Sequence, residues 1–147
     1  MKKILITFCA VAALAACHPK HKTYPDNASK ALIEELEHKV GNTVLFAYDC
    51  SSVSTESKVT LDKQVEFMKR NPDLKFFIEG YCDERGTVEY NIALGERRAH
   101  SAHSYLADKG VDKSRFTVVS YGKEHPAVDG HSEEAWRYNR RAVTSIR

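Results

Sequence analysis

The 147-residue sequence has no apolar stretch long enough to cross a bilayer and almost no surplus of charge. Its apolar run from Ile4 to Leu14 has 11 residues, whereas a spanning helix needs about 20. Lysine and arginine total 22 against 20 for aspartate and glutamate, and removing two leader lysines leaves 20 against 20. A neutral chain argues against nucleic acid or an anionic membrane surface as a partner, since both favour a basic surface.

The sequence also lacks the common signatures of catalysis and metal binding. There is no GxSxG nucleophile turn and no P-loop, and the adjacent carboxylates of Asp83 and Glu84 would diverge rather than work as an acid and base pair. Cysteines and histidines are present, but no tight CxxC or HxxxH spacing brings them together. We therefore predict neither an enzyme nor a metal site, and no cofactor.

The chain begins with the pattern of an exported protein. Lys2 and Lys3 precede the apolar run, and small residues lead to Cys17, which predicts a signal peptide over residues 1–16. The four residues LAAC resemble the bacterial lipobox, whose cysteine becomes the lipid-modified first residue. The alternative is an ordinary signal peptide followed by an unrelated cysteine. Three acyl chains on Cys17 would hold the protein at a membrane effectively permanently, with residues 17–28 as a polar tether.

Hydrophobic periodicity divides the rest of the chain into one domain, residues 42–147, preceded by a helix at 29–41. That helix is either a spacer or packed on the domain. Ser54 is the expected N-cap of the next helix. Strands that alternate with helices indicate a sheet covered by helices. The predicted strands are 43–49, 74–81, 115–122 and 140–146, and the predicted helices are 55–70, 90–108 and 132–138.

The stretch DERGTVEYNIALGERRA places Asp83 just after a strand end and two arginines on the following helix. Helical spacing puts Arg98 on a half-apolar face with Leu94, whereas Arg97 lies on a more polar face. A guanidinium on the half-apolar face needs a partner, since burying it unpaired is costly. Either Asp83 or Glu79 forms a structural ion pair with Arg98, or Asp83 and Arg98 together hold a zwitterion through its ammonium and carboxylate.

Two long motifs, EGYCDERGTVEYNIALGERRAHSAHSYLADKGV and VVSYGKEHPAVDGHSEEAWRYNRRAV, closely resemble the OmpA-like C-terminal domain family. The resemblance covers about residues 43–146. It implies an α+β fold in which helices pack on a four-stranded mixed β-sheet, in the order βαβαβ(α)β. It also implies non-covalent binding of peptidoglycan rather than catalysis. Family members hold the meso-diaminopimelate of the stem peptide, whose free end carries one ammonium and one carboxylate.

Matching the family's motifs to this chain assigns roles to individual residues. By motif position, Asp83 would bind the ammonium of diaminopimelate and Arg98 its carboxylate. The remaining expected site residues are Asn91 for a further hydrogen bond, Tyr48 and Asp49 as a wall, Leu94 against the aliphatic part of the ligand, and Arg140 as a support of the site.

The resemblance also implies partners and a place in the cell. Lipoproteins of this family work with TolB and TolA to tie the outer membrane to the cell wall and to draw it inward at division. His18 after the lipidated cysteine is consistent with sorting to the outer membrane, where the domain would face the periplasm. The rival interpretation is a protein-interaction module that binds mainly Tol proteins and has little affinity for peptidoglycan.

Cys50 and Cys82 stand where the family usually has other residues. The resemblance places both strand ends at one pocket, and an oxidising periplasm favours disulfides. We therefore expect a Cys50–Cys82 bridge, which would stabilise the fold by roughly 3 to 4 kcal/mol through the loop it closes. The alternative is two small buried thiols.

Overall fold

The computed structural model describes residues 26–147. The expected signal peptide, the lipidated Cys17 and residues 17–25 of the tether lie outside the described residues. Within this described range, no helix combines the length and the apolarity needed to cross a bilayer.

Helices and strands alternate along the described chain, as the periodicity predicted. A π-helical segment, Glu35–Gly41, continues the first helix, and a 3₁₀ turn, Lys113–Arg115, precedes the third strand. The principal elements are α1 Asp26–Glu34, β1 Thr43–Leu45, α2 Thr55–Arg70, β2 Phe76–Tyr81, α3 Val88–Asp108, β3 Phe116–Gly122, α4 Glu133–Asn139 and β4 Arg141–Ile146.

The four strands form one mixed sheet in the order β1-β4-β2-β3. Strand β4 runs antiparallel to both β1 and β2, whereas β2 and β3 are parallel. This confirms the predicted fold class. Strand β1 is shorter than the predicted 43–49, because the chain turns away after Leu45 and Asp49 adopts a left-handed φ of 50°, a conformation that aspartate tolerates better than most residues.

The core lies between the sheet and α2 with α3. Leu61 and Met68 of α2 pack with Ile78 of β2, and all three are fully buried. Ser54 is the N-cap of α2, as predicted, because its side chain accepts a hydrogen bond of 3.1 Å from the Ser57 N–H. Burying these apolar side chains stabilises the layered arrangement.

Helix α3 lies very close to β2, and two glycines make this possible. A Cβ at position 80 would lie 1.8 Å from the carbonyl oxygen of Gly95, and a Cβ at position 95 would lie 2.4 Å from Ser120 Oγ. Residues without side chains therefore set the distance between helix and sheet. This contact holds the first turns of α3 beside the carboxyl end of β2.

The segment before the sheet differs from its predicted bounds. Helix α1 covers Asp26–Glu34, so it includes the last residues of the predicted tether. The π-helical segment packs against α2 and buries Leu36. Arg70 of α2 also pairs with Glu35 across this contact, at 2.7 Å. The second half of the segment is thus packed on the domain and is not a free spacer.

Candidate functional site

A cavity of about 170 Å³ opens where the carboxyl end of β2, the segment after β1 and the first turns of α3 meet. Residues from these three distant parts of the sequence line it. Six of the expected site residues are among them, namely Tyr48, Asp49, Asp83, Asn91, Leu94 and Arg98, together with Cys82, Arg85, Gly86 and Tyr90.

The turn between β2 and α3 forms the floor and one side of the cavity. Gly86 has a φ of +93°, which lets the chain reverse, and Thr87 caps α3 by accepting from the Tyr90 N–H. Asn91 Nδ2 donates to the carbonyl oxygens of Arg85 and Thr87 at 2.8 and 3.0 Å. Asn91, which is buried, therefore fixes the shape of this turn.

Arg98 reaches the cavity from the third turn of α3, and its side chain is fully buried. Its Nε, Nη1 and Nη2 donate to the backbone oxygens of Cys50, Tyr81 and Ala47 at 2.9, 2.9 and 3.2 Å. A guanidinium has five N–H bonds, and these three contacts use one on each nitrogen. Burial lowers the pKa of Arg98, because removal from water disfavours the charged form.

The structure excludes the structural ion pair that sequence analysis considered for Arg98. No carboxylate among residues 26–147 lies within 4.0 Å of its guanidinium. Glu79 instead accepts from the Tyr81 hydroxyl and from Ser145 Oγ, and Asp83 has other partners. That alternative is wrong, because two backbone oxygens after β1 and one at the end of β2 take the place of a carboxylate. Arg98 is a buried cation on the wall of an open cavity.

Asp83 is buried and bound by two arginines. Its Oδ1 accepts from the backbone N–H and Nε of Arg85, both at 3.1 Å, and its Oδ2 accepts from Arg85 Nη2 at 2.6 Å and from Arg140 Nη1 at 3.4 Å. Burial alone would raise the pKa of the Asp83 carboxyl, but the hydrogen bonds from Arg85 outweigh it and hold the pKa below its usual value.

Arg140 lies behind Asp83 and does not line the cavity. Its Nε donates to the Phe46 carbonyl oxygen at 3.0 Å, and Nη2 donates to Glu133. It thereby links the segment after β1, the end of β2 and helix α4. The resemblance implied a supporting role for this residue, and its position behind Asp83 suits that role.

Arg85 was not among the residues selected from the sequence, although it lines the cavity. Its guanidinium lies between two aromatic rings, with Cζ 4.1 Å from the centre of Tyr48 and 4.0 Å from that of Trp136. The available signal was its position two residues after Asp83, where the side chain of an aspartate in a turn binds the backbone. The aromatic partners lie far away in sequence and were not predictable.

Tyr90 is the second lining residue that sequence analysis missed. Its hydroxyl donates to Asp49 Oδ1, which joins the start of α3 to the segment after β1. This hydrogen bond raises the pKa of the Tyr90 hydroxyl. The cavity has an exposed rim with two aromatic side chains and one carboxylate, those of Tyr48, Tyr90 and Asp49.

The disulfide expected between Cys50 and Cys82 is not formed, and both residues are free thiols in the structure. The two side chains have separate partners: Cys50 Sγ lies 2.9 Å from Ser52 Oγ, and Cys82 Sγ donates to the Asn91 carbonyl oxygen at 3.3 Å. Burial raises the pKa of the Cys82 thiol, whereas the hydrogen bond with Ser52 lowers that of Cys50. The cavity is thus lined by a neutral thiol.

Comparison with known proteins identifies the family of this chain. The model of the OmpA family matches residues 45–140, which includes the lining residues and most of the sheet. The match extends over more than half of the 147 residues. The chain therefore belongs to the OmpA family.

Similar proteins place it more narrowly within that family. The peptidoglycan-associated lipoprotein of Haemophilus influenzae is 42% identical over 146 residues, which are 96% of this chain and 95% of that protein. The same protein of Pasteurella multocida is 42% identical over 97% of this chain and 96% of its own length. The crystal structure of the peptidoglycan-associated lipoprotein from Burkholderia pseudomallei has a TM-score of 0.70 at 38% identity, over 72% of this chain and 90% of that chain. Within the OmpA family, the chain groups with the peptidoglycan-associated lipoproteins.

Proposed function

We propose that this chain is a lipoprotein of the outer membrane that binds peptidoglycan non-covalently through the diaminopimelate of its stem peptide. The cavity beside α3 is the binding site, and the chain carries out no catalysis. The lipid on Cys17 anchors the protein in the outer membrane, and the domain faces the periplasm. The protein thereby ties the outer membrane to the cell wall.

The observation that carries this proposal is the buried guanidinium of Arg98. It has no carboxylate partner among the described residues, and it lies on the wall of a cavity open to solvent. Taking a charge out of water is costly unless an opposite charge compensates for it. A ligand carboxylate would supply that charge and would bind the guanidinium with charge-assisted hydrogen bonds.

The rest of the cavity suits the other parts of diaminopimelate. Asp83 and Asp49 are the carboxylates on its wall, and either charge attracts an ammonium. Leu94, which is buried, offers an apolar surface to the methylene groups between the two ends. A buried cation at Arg98, two carboxylates at Asp49 and Asp83, the second of them paired with Arg85, and one apolar side chain fit a molecule with a carboxylate and an ammonium at one end of an aliphatic chain.

The relatives support the cellular role. The proteins of Haemophilus influenzae and Pasteurella multocida are named for their association with peptidoglycan and for their lipid. This chain has a lipobox in the expected place, at Leu14 to Cys17. We propose that the protein works with TolB and TolA in the Tol-Pal system, which maintains the envelope and draws the outer membrane inward at cell division.

Asp83→Asn tests the proposed site through binding to purified, protein-free peptidoglycan. The substitution keeps the shape of the side chain and removes its charge, so the ligand ammonium loses an attraction and the two arginines repel it. We expect the fraction of protein that sediments with peptidoglycan to fall at least about tenfold, since a charge-assisted hydrogen bond contributes about 1.5 to 3 kcal/mol.

The matched control is Asp129→Asn, which removes the same charge from an exposed loop residue. It should sediment like the wild type. Thermal unfolding of both variants ensures that a loss of binding is not a loss of folding. If folded Asp83→Asn sediments as well as the control, the proposed site is wrong. If the wild type itself does not sediment, the chain is instead a module that binds only proteins.

A further inference from the structure

We infer that Arg85 is a specificity-determining residue of the site: it occupies Asp83 in the ligand-free protein, and the ammonium of the ligand must displace it. This inference rests on the proposed function, and it assigns a role to a residue that neither the sequence motif nor the comparisons single out. Arg85 would make the cavity select ligands that bring both a carboxylate and an ammonium.

The first observation is that Asp83 has no free hydrogen-bonding position. A carboxylate accepts about four hydrogen bonds. Asp83 already accepts four, three of them from Arg85 and one from Arg140. An ammonium that binds Asp83 must therefore replace one of these donors.

The second observation separates the two arginines. Arg140 is buried, at 5% exposure, and is held from three sides by Phe46, Asp83 and Glu133. The Arg85 side chain is 30% exposed and lines the cavity. Arg85 is therefore the donor that can leave. The displaced Arg85 can then pair with Glu133, because Glu133 Oε2 already lies 3.7 Å from Arg85 Nη2 on the solvent side.

The third observation is that the ligand-free position of Arg85 is well stabilised. Its Nε and Nη2 bind both oxygens of Asp83, and its plane lies between the rings of Tyr48 and Trp136. Bidentate pairing and stacking are the two interactions that arginine makes and lysine does not. A cationic group that competes for Asp83 must overcome them. A ligand held by Arg98 through its carboxylate has that advantage, because its ammonium is then presented to Asp83 at high effective concentration.

The test measures binding of the tripeptide L-Ala-γ-D-Glu-meso-diaminopimelate to the full-length chain by calorimetry. In Arg85→Gln, the ligand no longer has to displace a guanidinium, so the dissociation constant should fall roughly three- to thirtyfold relative to the wild type. Arg85→Lys keeps the charge but loses the bidentate, stacked geometry, so its dissociation constant should also fall, by a smaller factor. Arg97→Gln, which removes a guanidinium from the exposed face of α3, should bind like the wild type.

Nuclear magnetic resonance of the Arg85 Nε–H reports the displacement directly in the wild type. Saturation with the tripeptide should shift this resonance from that of a carboxylate-bound group to that of an exposed arginine. The tripeptide acetylated on the free amine of its diaminopimelate should leave the resonance unchanged. If the wild type binds the tripeptide but the resonance does not move, or if either Arg85 variant fails to bind more tightly than the wild type, the inference is wrong and the proposed function stands. If neither the wild type nor Arg85→Gln binds the tripeptide, the proposed function is overturned, and the inference with it.

Discussion

Arg98 has a structural role in the fold and a proposed role in binding an anionic ligand. It is fully buried, and its three backbone hydrogen bonds tie the segment after β1 to the end of β2 and to α3. Those bonds satisfy the donors without neutralising the charge, so the side chain still attracts an anion. A carboxylate in this position would have cancelled the charge and closed the site.

Arg98→Ala should destabilise the fold as well as prevent ligand binding. Three carbonyl oxygens lose their donor, the buried one of Tyr81 among them, and leaving a buried acceptor unsatisfied costs about 1 to 3 kcal/mol when water does not replace the donor. We expect the free energy of unfolding to drop by about 3 kcal/mol or more in a urea titration. Arg97→Ala, on the neighbouring exposed position, should change it by no more than about 0.5 kcal/mol. Equal losses in the two variants would contradict the structural role given to Arg98.

The burial of Arg98 was predictable from the sequence, but its partners were not. Helical spacing placed it on the half-apolar face of α3, and that face is the buried one. Its acceptors are carbonyl oxygens of Ala47, Cys50 and Tyr81, which are backbone groups that every residue has. No side-chain pattern marks such acceptors, so sequence reasoning turned to nearby carboxylates instead. The separate hydrogen-bond partners of Cys50 and Cys82 were not predictable from the sequence either.

At the scale of elements, the site depends on how α3 sits against β2. Gly80 and Gly95 face each other across this contact, and the helix comes close enough for Arg98 to reach the segment after β1. The start of α2 was predictable because its cap is local: Ser54 and the first turn carry their own signal. Helix α3 instead begins at Val88, two residues before its predicted start, with Thr87 as its cap. Strand ends were less predictable. Strands β1 and β2 end where their pairing with neighbouring strands ends, and the paired residues are far apart in sequence.

Gly80→Ala should destabilise the protein more than Gly95→Ala. At position 80 the new methyl group meets a backbone oxygen at 1.8 Å, which forces helix and strand apart, and we expect a loss of roughly 3 kcal/mol. At position 95 the nearest atom belongs to the Ser120 side chain, which can rotate, and the Gly80 backbone oxygen lies farther away, at 2.9 Å. Alanine also favours the helix by about 1 kcal/mol relative to glycine. Thermal unfolding of the two variants measures the order, and a larger loss for Gly95→Ala would contradict this account of the contact.

At the scale of the whole molecule, the proposed binding cavity lies on a sheet-and-helix domain, and the sequence near the start of the chain resembles a lipobox. The resemblance to the family implied a four-stranded mixed sheet but not the strand order β1-β4-β2-β3, and periodicity could not supply that order because it gives elements and not their neighbours. The near balance of positive and negative residues agrees with a site that recognises individual charges rather than a charged surface.

The central claim is that the cavity recognises a carboxylate and an ammonium on the same end of the ligand. The most direct test is a calorimetric titration of the protein with a diaminopimelate-containing muropeptide and with its lysine-containing counterpart, which has the same ammonium and lacks the carboxylate. Because the proposal assigns that carboxylate to Arg98, it predicts that the diaminopimelate form binds roughly ten- to a hundredfold more tightly. Equal affinity for the two muropeptides would contradict it.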